Sequence, residues 1–236
     1  MPWSFGTVFV FIAPVLSSLM LDRVVPYAAT HGLRPVQDFF PDMLWRIDTS
    51  EPVAYLTFDD GPTLEMTTGL LDTLARYDAR ATFFLIGHHA ERHPSLVRDL
   101  HDAGHAIGNH TFTHPNAWVT PQRNVRLQLS NTTMLLEDLT GAPVDVMRPP
   151  YGKFTGAMRT WCAERRQRMV MWDVMPGDFL DSATADRVAR FVLRTVRPGS
   201  IIVLHDNPIC QHVTPSALNT ILETLSGEGW TFEALV

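Results

Sequence analysis

Cysteine is scarce in this 236-residue chain, which contains only Cys162 and Cys210. Two cysteines are too few for a network of disulfides, and their spacing matches no cysteine metal-binding motif. The sequence therefore excludes a small fold that depends on disulfides. We expect both residues to be small core side chains, with a disulfide between them as the minor alternative if the protein is exported.

Positive charge is also limited, because 25 Asp and Glu residues outnumber 19 Lys and Arg residues and give a net charge of −6 at pH 7. Proteins that bind nucleic acid or anionic membranes usually carry a basic patch, since phosphate groups attract Lys and Arg. The composition gives no support to either partner. The length suits one large domain, and α/β barrels of this size are common.

A long uninterrupted apolar run is missing as well. Residues 5–21 are apolar and uncharged, but the run is short for a membrane span and contains Pro14. A secretory signal normally begins with Lys or Arg, whereas the first basic residue, Arg23, follows the run. The sequence leaves open a packed arm, a degenerate signal or an anchor, and with them a cytoplasmic or cell-envelope location. This run is the one segment of the sequence through which the protein could associate with a membrane. The sequence does not indicate the oligomeric state.

The chain does contain a regular alternation of strand-like and helix-like segments. The predicted strands are residues 53–58, 81–86, 106–107, 144–147, 169–172, 200–204 and 230–236. Helical patterns lie between most of them, with caps and breakers such as Thr120-Pro121 and Gly141 at their ends. Strands separated by helices predict a parallel sheet, and this number of units favours a barrel over an open sheet.

Two short strings carry most of the chemical information: TFDDGP, which contains Asp59 and Asp60, and NHTFTHP, which contains His110 and His114. Catalytic zinc takes about three His, Asp or Glu ligands and leaves one position open for water. A fourth, unbound carboxylate can then accept a proton from that water. The strings therefore indicate a metal site with a proton acceptor beside it.

Polar residues directly follow several predicted strands, at the end where a parallel barrel builds its active site. They are Asp59, Asp60, His110, His114, Arg148, Asp173, Asp178 and His205. Adjacent strand residues point to opposite faces, so the two aspartates can share a pocket only if the chain turns there, as the following Gly-Pro favours. A plain turn is the alternative reading of that string. The remaining histidines are assigned to surface or packing positions, with His105 expected to be buried near the site.

These motifs resemble those of the polysaccharide deacetylases, the NodB-like group of carbohydrate esterases. The resemblance covers residues 52–236 and includes RPPY from Arg148, WDVMPGDF from Trp172 and VLH ending at His205. It implies a single catalytic α/β domain folded as a distorted (β/α) barrel of about seven parallel strands, preceded by an arm and lead-in at residues 1–51. It also implies a metal-dependent hydrolase of linear amides that removes acetyl groups from N-acetylglucosamine in chitin, chito-oligosaccharide or peptidoglycan.

The resemblance assigns the metal and the base to the first part of the chain. Asp60, His110 and His114 match the metal ligands, for Zn²⁺ or, as alternatives, Co²⁺ or Ni²⁺. Asp59 matches the catalytic base, and Arg148 matches the arginine that orients it.

The remaining roles fall on the second part of the chain. His205 matches the general acid, Asp178 its support, and the Tyr151 N–H the oxyanion donor. Phe179 matches the wall of the acetyl pocket, while Tyr151 and Trp118 are candidates for stacking on a sugar ring.

The fourth motif departs from the family pattern at Met175 and Phe179, where Asp and Trp are frequent. The sequence therefore leaves open whether Asp173 or Asp178 supports the catalytic residues. An O-acetyl esterase or a non-sugar amide hydrolase on the same scaffold is the enzymatic alternative. A non-catalytic carbohydrate-binding relative is the other, although the retained Asp59 and His205 count against it.

Overall fold

A computed structural model describes residues 24–32 and 34–235, and every strand pairing in its central sheet is parallel. The apolar run at residues 5–21 lies outside the described residues, so the expectations for it stay predictions. Within the described ranges, no helix combines the length and the hydropathy that crossing a membrane requires.

The sheet follows the strand order β1-β6-β5-β4-β3-β2-β7, and β8 pairs with the start of β2. The strands are β1 (Met43–Leu44), β2 (Val53–Asp59), β3 (Ala81–Leu85), β4 (Ala106–Asn109), β5 (Val146–Met147), β6 (Arg168–Val170), β7 (Ile201–His205) and β8 (Thr231–Phe232). The sheet curls on itself, because Val174, shortly after β6, forms a parallel bridge to Ile202 in β7. The predicted distorted barrel of about seven parallel strands is confirmed.

Helices connect most of the strands and cover the outside of the sheet. They are α1 (Arg34–Gln37), α2 (Thr67–Arg76), α3 (Gly87–Arg92), α4 (Pro94–Asp102), α5 (Gln122–Thr140), α6 (Gly156–Arg165), α7 (Ala185–Thr195) and α8 (Thr214–Gly227), and a π-helical turn occupies Ala28–Gly32. The sequence did not predict α3, which follows β3 almost directly and begins without a side-chain cap. It also missed α6, whose start is nevertheless marked by Thr155, the residue that caps it.

Local signals explain where several helices begin and end. The Thr184 side chain accepts a hydrogen bond from the Arg187 N–H at the start of α7. Gly141 ends α5 in the left-handed conformation, with φ of 69°. A threonine cap of this kind contributes about 1 kcal/mol, and glycine adopts the left-handed conformation without a steric penalty.

The strands are apolar because helices cover the sheet and leave little of it exposed. All five residues of β3 are buried, and Phe83 stacks on Phe58 of β2 with ring centroids 4.9 Å apart. On the outer face, Leu70 and Leu74 of α2 are fully buried in the same cluster. Burial of one such side chain contributes roughly 1.5–3 kcal/mol.

The segment before residue 52 contributes β1, a strand that the sequence did not predict because it is only two residues long. β1 pairs with β6, and after it Ile47 donates its N–H to the carbonyl of Gly199 at 2.9 Å. A Cβ at Gly199 would lie 1.8 Å from the Ile47 carbonyl oxygen, so this close approach requires glycine.

Both cysteines are free and buried, as expected. Burial raises the pKa of the Cys162 thiol to about 12, so this group stays protonated at neutral pH.

Candidate active site

The chain reverses direction immediately after β2 and brings Asp59 and Asp60 to one pocket. Asp60 has a φ of 78°, and a cis peptide bond joins Gly61 and Pro62. Asp59 Oδ2 lies 4.0 Å from His110 Nε2, and Asp60 Oδ1 lies 3.6 Å from the same atom. The turn after the strand therefore places both carboxylates beside one imidazole.

His110 and His114 occupy an irregular loop after β4, not a helix, as the surrounding threonines and proline predicted. Thr111 and His114 both have positive φ, at 65° and 54°. The Asn109 side chain holds the loop, because its Oδ1 accepts from the Thr111 N–H at 2.8 Å and its Nδ2 donates to the Leu129 carbonyl at 2.8 Å. The two imidazole centroids lie 4.9 Å apart.

A carbonyl oxygen fixes which ring nitrogen of His110 carries a proton. The Arg148 carbonyl oxygen lies 2.7 Å from His110 Nδ1 and can only accept, so Nδ1 carries the proton. In this tautomer the lone pair of the ring lies on Nε2, which faces Asp60. Such a bond to the far ring nitrogen is what usually orients a metal-binding histidine.

Asp60, His110 and His114 form a group that could hold a metal ion. The relevant side-chain atoms lie within 4.8 Å of one another, and Asp60 Oδ1 is 3.3 Å from His114 Nε2. Donors about 2.0–2.2 Å from a tetrahedral ion lie roughly 3.3–3.6 Å apart. Asp60 Oδ1 is buried without a hydrogen-bond partner among the residues described, whereas Oδ2 accepts from Asn207 Nδ2 at 3.1 Å. The residues present therefore fit a divalent cation.

The protonation states of this group also suit a cation. Burial acts to raise the pKa of Asp60, but the neighbouring His110, His205 and His114 outweigh it and lower the pKa. Burial lowers the pKa of His114 to about 4. At neutral pH the group thus offers an ionised carboxylate and a neutral imidazole.

A fully buried arginine holds Asp59. Arg148 Nη1 donates to Asp59 Oδ1 and to Thr57 Oγ1, both at 2.7 Å, and Nη2 donates to the Met171 carbonyl at 2.8 Å. The guanidinium also lies over the Phe84 ring, 4.2 Å from its centroid. Removal of Arg148 would leave the Asp59 carboxylate buried and unpaired, an arrangement that costs several kcal/mol.

His205 ends β7 directly beside Asp59 in the strand register and is held by Asp178. Its Nδ1 lies 2.8 Å from Asp178 Oδ1, and its backbone N–H donates to Asp178 Oδ2, which also accepts from Thr214 Oγ1. Burial alone would lower the pKa of His205, but Asp178 raises it to about 9. The Phe179 ring packs edge-on against the imidazole at 5.0 Å.

The structure separates the two aspartates that the sequence left as alternatives. Asp173 pairs with Arg197, with the Nη2–Oδ1 distance 2.7 Å, and accepts from Ser200 Oγ. Asp178 is the one that contacts His205.

Tyr151 and Trp118 lie on the exposed rim of this site. Tyr151 has a positive φ of 58°, and its ring packs edge-on against His114 with centroids 4.5 Å apart. Among the backbone hydrogen bonds of the described residues, none uses the Tyr151 N–H. The Trp118 indole N–H donates to the Phe154 carbonyl at 3.1 Å. Apart from Asp173, which contacts Arg197 and Ser200 before the start of β7, the residues selected from the sequence gather at one end of the barrel, with Trp118 at the periphery.

Comparison with known proteins identifies the family. The family model described as polysaccharide deacetylase matches residues 46–169. A peptidoglycan-N-acetylglucosamine deacetylase of Bacillus cereus is 38% identical over 182 residues, which cover 76% of this chain and 66% of that protein. A chitooligosaccharide deacetylase of Sinorhizobium fredii is 34% identical over 201 residues, which cover 80% of this chain and 93% of that protein.

The chain belongs to the polysaccharide deacetylase family. The fold agrees, because the crystal structure of a peptidoglycan N-acetylglucosamine deacetylase matches it with a TM-score of 0.78 and 34% sequence identity. That match covers 82% of this chain and 91% of the other. The sequence resemblance is confirmed.

In this polysaccharide deacetylase family member, Asp206 is a site residue that sequence reasoning missed. It is fully buried, and its carboxylate accepts from Thr63 Oγ1 at 2.8 Å and from Thr67 Oγ1 at 2.5 Å. Its N–H donates to the Asp59 carbonyl at 2.8 Å, and a Cβ at Gly61 would lie 2.3 Å from its Oδ2. Asp206 thus packs directly beneath the turn that carries Asp59 and Asp60. Its position directly after His205 was the available signal.

Two other residues contact Asp60 without having been selected. Asn207 donates to its side chain, and His89 Nδ1 lies 2.8 Å from its carbonyl oxygen. The expectation for His105 is corrected in part: it is buried, but it lies at the start of β4, where Nδ1 accepts from the Ala81 N–H at 3.2 Å. It is therefore at the opposite end of the strands from the site.

Proposed function

We propose that this protein is a metal-dependent deacetylase that hydrolyses the acetamide of N-acetylglucosamine in a sugar chain. One observation carries the proposal. A buried carboxylate oxygen without a hydrogen-bond partner faces two imidazoles, and an arginine-held carboxylate and an aspartate-held imidazole lie beside it. The names of the relatives, which are peptidoglycan and chitooligosaccharide deacetylases, support the substrate class.

Asp60, His110 and His114 would hold the cation. Two imidazoles and one carboxylate are ligands that zinc accepts readily, with Co²⁺ or Ni²⁺ as alternatives of similar ligand preference. When bound, a divalent cation acidifies water and polarises a carbonyl oxygen.

Asp59 would accept the proton of the attacking water. Its Oδ1 is occupied by Arg148, whereas Oδ2 points toward His110 and the metal group. The hydrogen bond from Arg148 Nη1 therefore orients the carboxylate for this role. A general base in this position typically contributes about 10²–10⁴-fold to the rate.

The Tyr151 N–H would stabilise the negative oxygen that forms when the acetyl carbon becomes tetrahedral. This N–H takes no part in the backbone hydrogen bonds of the described residues, so it is available to such an oxygen. A single backbone donor to such an oxygen contributes about 3 kcal/mol in comparable acyl-transfer sites.

His205 would protonate the departing nitrogen as the carbon–nitrogen bond breaks. The contact with Asp178 keeps the imidazole charged at neutral pH, because it raises the pKa of His205 to about 9. The products are acetate and the free amine of the sugar. The leaving group of an ester is an alkoxide, which needs this proton less than the departing amine of an amide does. The charged His205 therefore favours the amide substrate over an O-acetyl ester.

The retained pairs also argue against a non-catalytic carbohydrate-binding role. A binding protein has no need for a base and an acid, each with its own buried support. Arg148 and Asp178 have almost no solvent exposure, and burying such charges is costly unless each has a partner.

Acetate release tests the proposal. The metal-loaded protein is incubated with chitin oligomers, peptidoglycan, acetyl-xylan and simple amides, before and after removal of the metal with a chelator. We expect release from the N-acetylated glycans, loss with the chelator and recovery when Zn²⁺ is restored. Absence of release from every N-acetylated glycan by metal-loaded protein would refute the proposal, and preferential release from acetyl-xylan would favour the esterase alternative.

A further inference from the structure

The rim beside the proposed metal group carries Lys153, which is the only lysine in the 236-residue chain. Every other basic residue is an arginine or a histidine. Lys153 follows the RPPYG string and is partly exposed. The one primary amine among the side chains therefore lies next to the residues assigned to chemistry.

Two aromatic rings hold the Lys153 ammonium in place. Its Nζ lies 5.3 Å from the centroid of the Trp118 ring and 5.4 Å from that of the Tyr151 ring. Trp118 is anchored by its hydrogen bond to the Phe154 carbonyl, and Tyr151 packs against His114. The Tyr151 ring therefore lies beside both the ammonium and a proposed metal ligand.

Lys153 has no acidic partner among the residues that the structure describes. Several arginines do form ion pairs with carboxylates there, namely Arg46, Arg80, Arg126, Arg148, Arg159 and Arg197. The ammonium of Lys153 instead faces aromatic rings, which attract a cation without neutralising its charge. Its three N–H donors remain available to an anion.

The two kinds of relative differ in the charge of the glycan they are named for. Chitin oligomers are neutral, whereas peptidoglycan carries carboxylates on its lactyl ether groups or on the peptides attached to them. Because the whole chain has a net charge of −6, long-range attraction does not draw an anionic glycan to it. A preference for such a glycan would have to come from a local cation.

We propose, on the basis of the proposed function, that Lys153, Trp118 and Tyr151 form a subsite for a sugar that bears a carboxylate. The rings pack against the sugar, and the ammonium of Lys153 pairs with the carboxylate. The preferred substrate is then an N-acetylated glycan with carboxylates close to the acetamide that is hydrolysed, not a neutral chitin oligomer.

The test is the ratio of kcat/KM for an anionic and a neutral glycan of equal length. The anionic substrate is a peptide-free peptidoglycan oligomer with free lactyl carboxylates, and the neutral one is a chitin oligomer. Lys153→Gln should lower this ratio about fivefold, through KM more than kcat, because a partly exposed ion pair contributes only to binding. Lys153→Arg should restore most of it. Arg98→Gln is the matched control, because it removes one exposed charge on α4 and should leave the ratio unchanged.

A second anionic oligomer that retains its peptide distinguishes the source of the carboxylate. A ratio that falls only for the peptide-free oligomer assigns the lactyl carboxylate, because attachment of the peptide converts that carboxyl to an amide. A ratio that falls only for the peptide-bearing oligomer assigns the peptide carboxylates, and one that falls for both shows that Lys153 pairs with either. If Lys153→Gln leaves the ratio unchanged for both anionic substrates while the wild type releases acetate, the subsite is overturned and the proposed function stays intact. Wild type that releases acetate from neither glycan class removes the proposed function, and the subsite with it.

The single lysine also permits a binding measurement without turnover. An amine-reactive acylating reagent can modify Lys153 as the one side-chain amine, and digestion with mass spectrometry measures the extent. In the Asp59→Asn variant, the anionic oligomer should slow modification at least fivefold more than the neutral one does. Equal protection by both would contradict a carboxylate contact.

Discussion

The two ends of the parallel strands use histidines in different ways. At the start of β4, His105 accepts a backbone hydrogen bond from Ala81 and packs edge-on against Phe83 at 5.4 Å. At the carboxyl ends, His110 and His114 turn their Nε2 atoms toward the partnerless Oδ1 of Asp60.

Burial alone does not distinguish a structural histidine from a functional one. The relative exposure of His105 is 5% and that of His110 is 2%. The difference lies in whether the polar atoms are already satisfied within the protein. Polar atoms that are buried without a partner cost free energy, and at Asp60 such an atom faces two imidazoles, an arrangement that suits a bound cation.

The largest expected effect comes from breaking the metal group. His114→Ala removes one of three donor atoms, so metal content should fall well below one ion per chain and acetate release should drop at least about 10³-fold. Elemental analysis and acetate assays of the purified protein check both. His105→Asn is the control from the other end of the strands, and its metal content should match wild type. Full metal retention in His114→Ala would contradict the ligand assignment.

The next effect separates chemistry from metal binding. Asp59→Asn should lower kcat by about 10²–10⁴-fold, because an amide cannot accept the proton, while metal content stays near the wild-type value. His205→Ala should behave in the same way, since it removes the proton donor. Wild-type acetate release by either variant would show that its role is assigned wrongly.

A smaller effect concerns the pH range of activity. Because Asp178 raises the pKa of His205 to about 9, the folded state binds this proton more tightly than the unfolded chain does. The resulting stabilisation is complete below about pH 6.5 and is lost as pH rises through 9. Without this carboxylate, His205 loses its proton at lower pH. Asp178→Asn should then move the alkaline limb of the kcat/KM profile to lower pH by at least about one unit.

Asp173→Asn is the matched control for that measurement. It also neutralises a buried aspartate of the same loop, but that aspartate pairs with Arg197 and not with His205. The variant should be less stable and retain the wild-type alkaline limb. A limb that moves with Asp173→Asn and not with Asp178→Asn would reverse the assignment.

The smallest effect is on stability at the other end of the strands. Burial lowers the pKa of His105 to about 4, so the unfolded chain takes up a proton at higher pH than the folded protein does. The stabilisation is present above about pH 6.5 and is lost as pH falls toward 4, for a total on the order of 3 kcal/mol. His105→Asn keeps an acceptor for Ala81 but does not titrate, so urea unfolding at pH 7 and pH 5 should show a weaker acid destabilisation. If the free energy of unfolding falls equally between pH 7 and pH 5 in the variant and in wild type, His105 does not titrate in this way.

The sequence predicted which side chains lie close together better than it predicted their individual contacts. TFDDGP and NHTFTHP are short strings, so the turns that bring their side chains together are set largely by nearby Gly, Pro and Asn. The choice between Asp173 and Asp178 was different, because both follow β6 and both are buried. It depends on which one the loop carries to the end of β7.

From the sequence alone came the order of most strands and helices, the family resemblance and the residue types of the proposed metal group, since these depend on patterns within a few residues. Only the tertiary structure decided that Asp178 holds His205, that Asp206 supports the Asp59 turn, that His105 lies at the far end, and that Lys153 lies between two rings. Contacts between distant parts of the chain depend on how the whole barrel closes, and no local pattern encodes that closure.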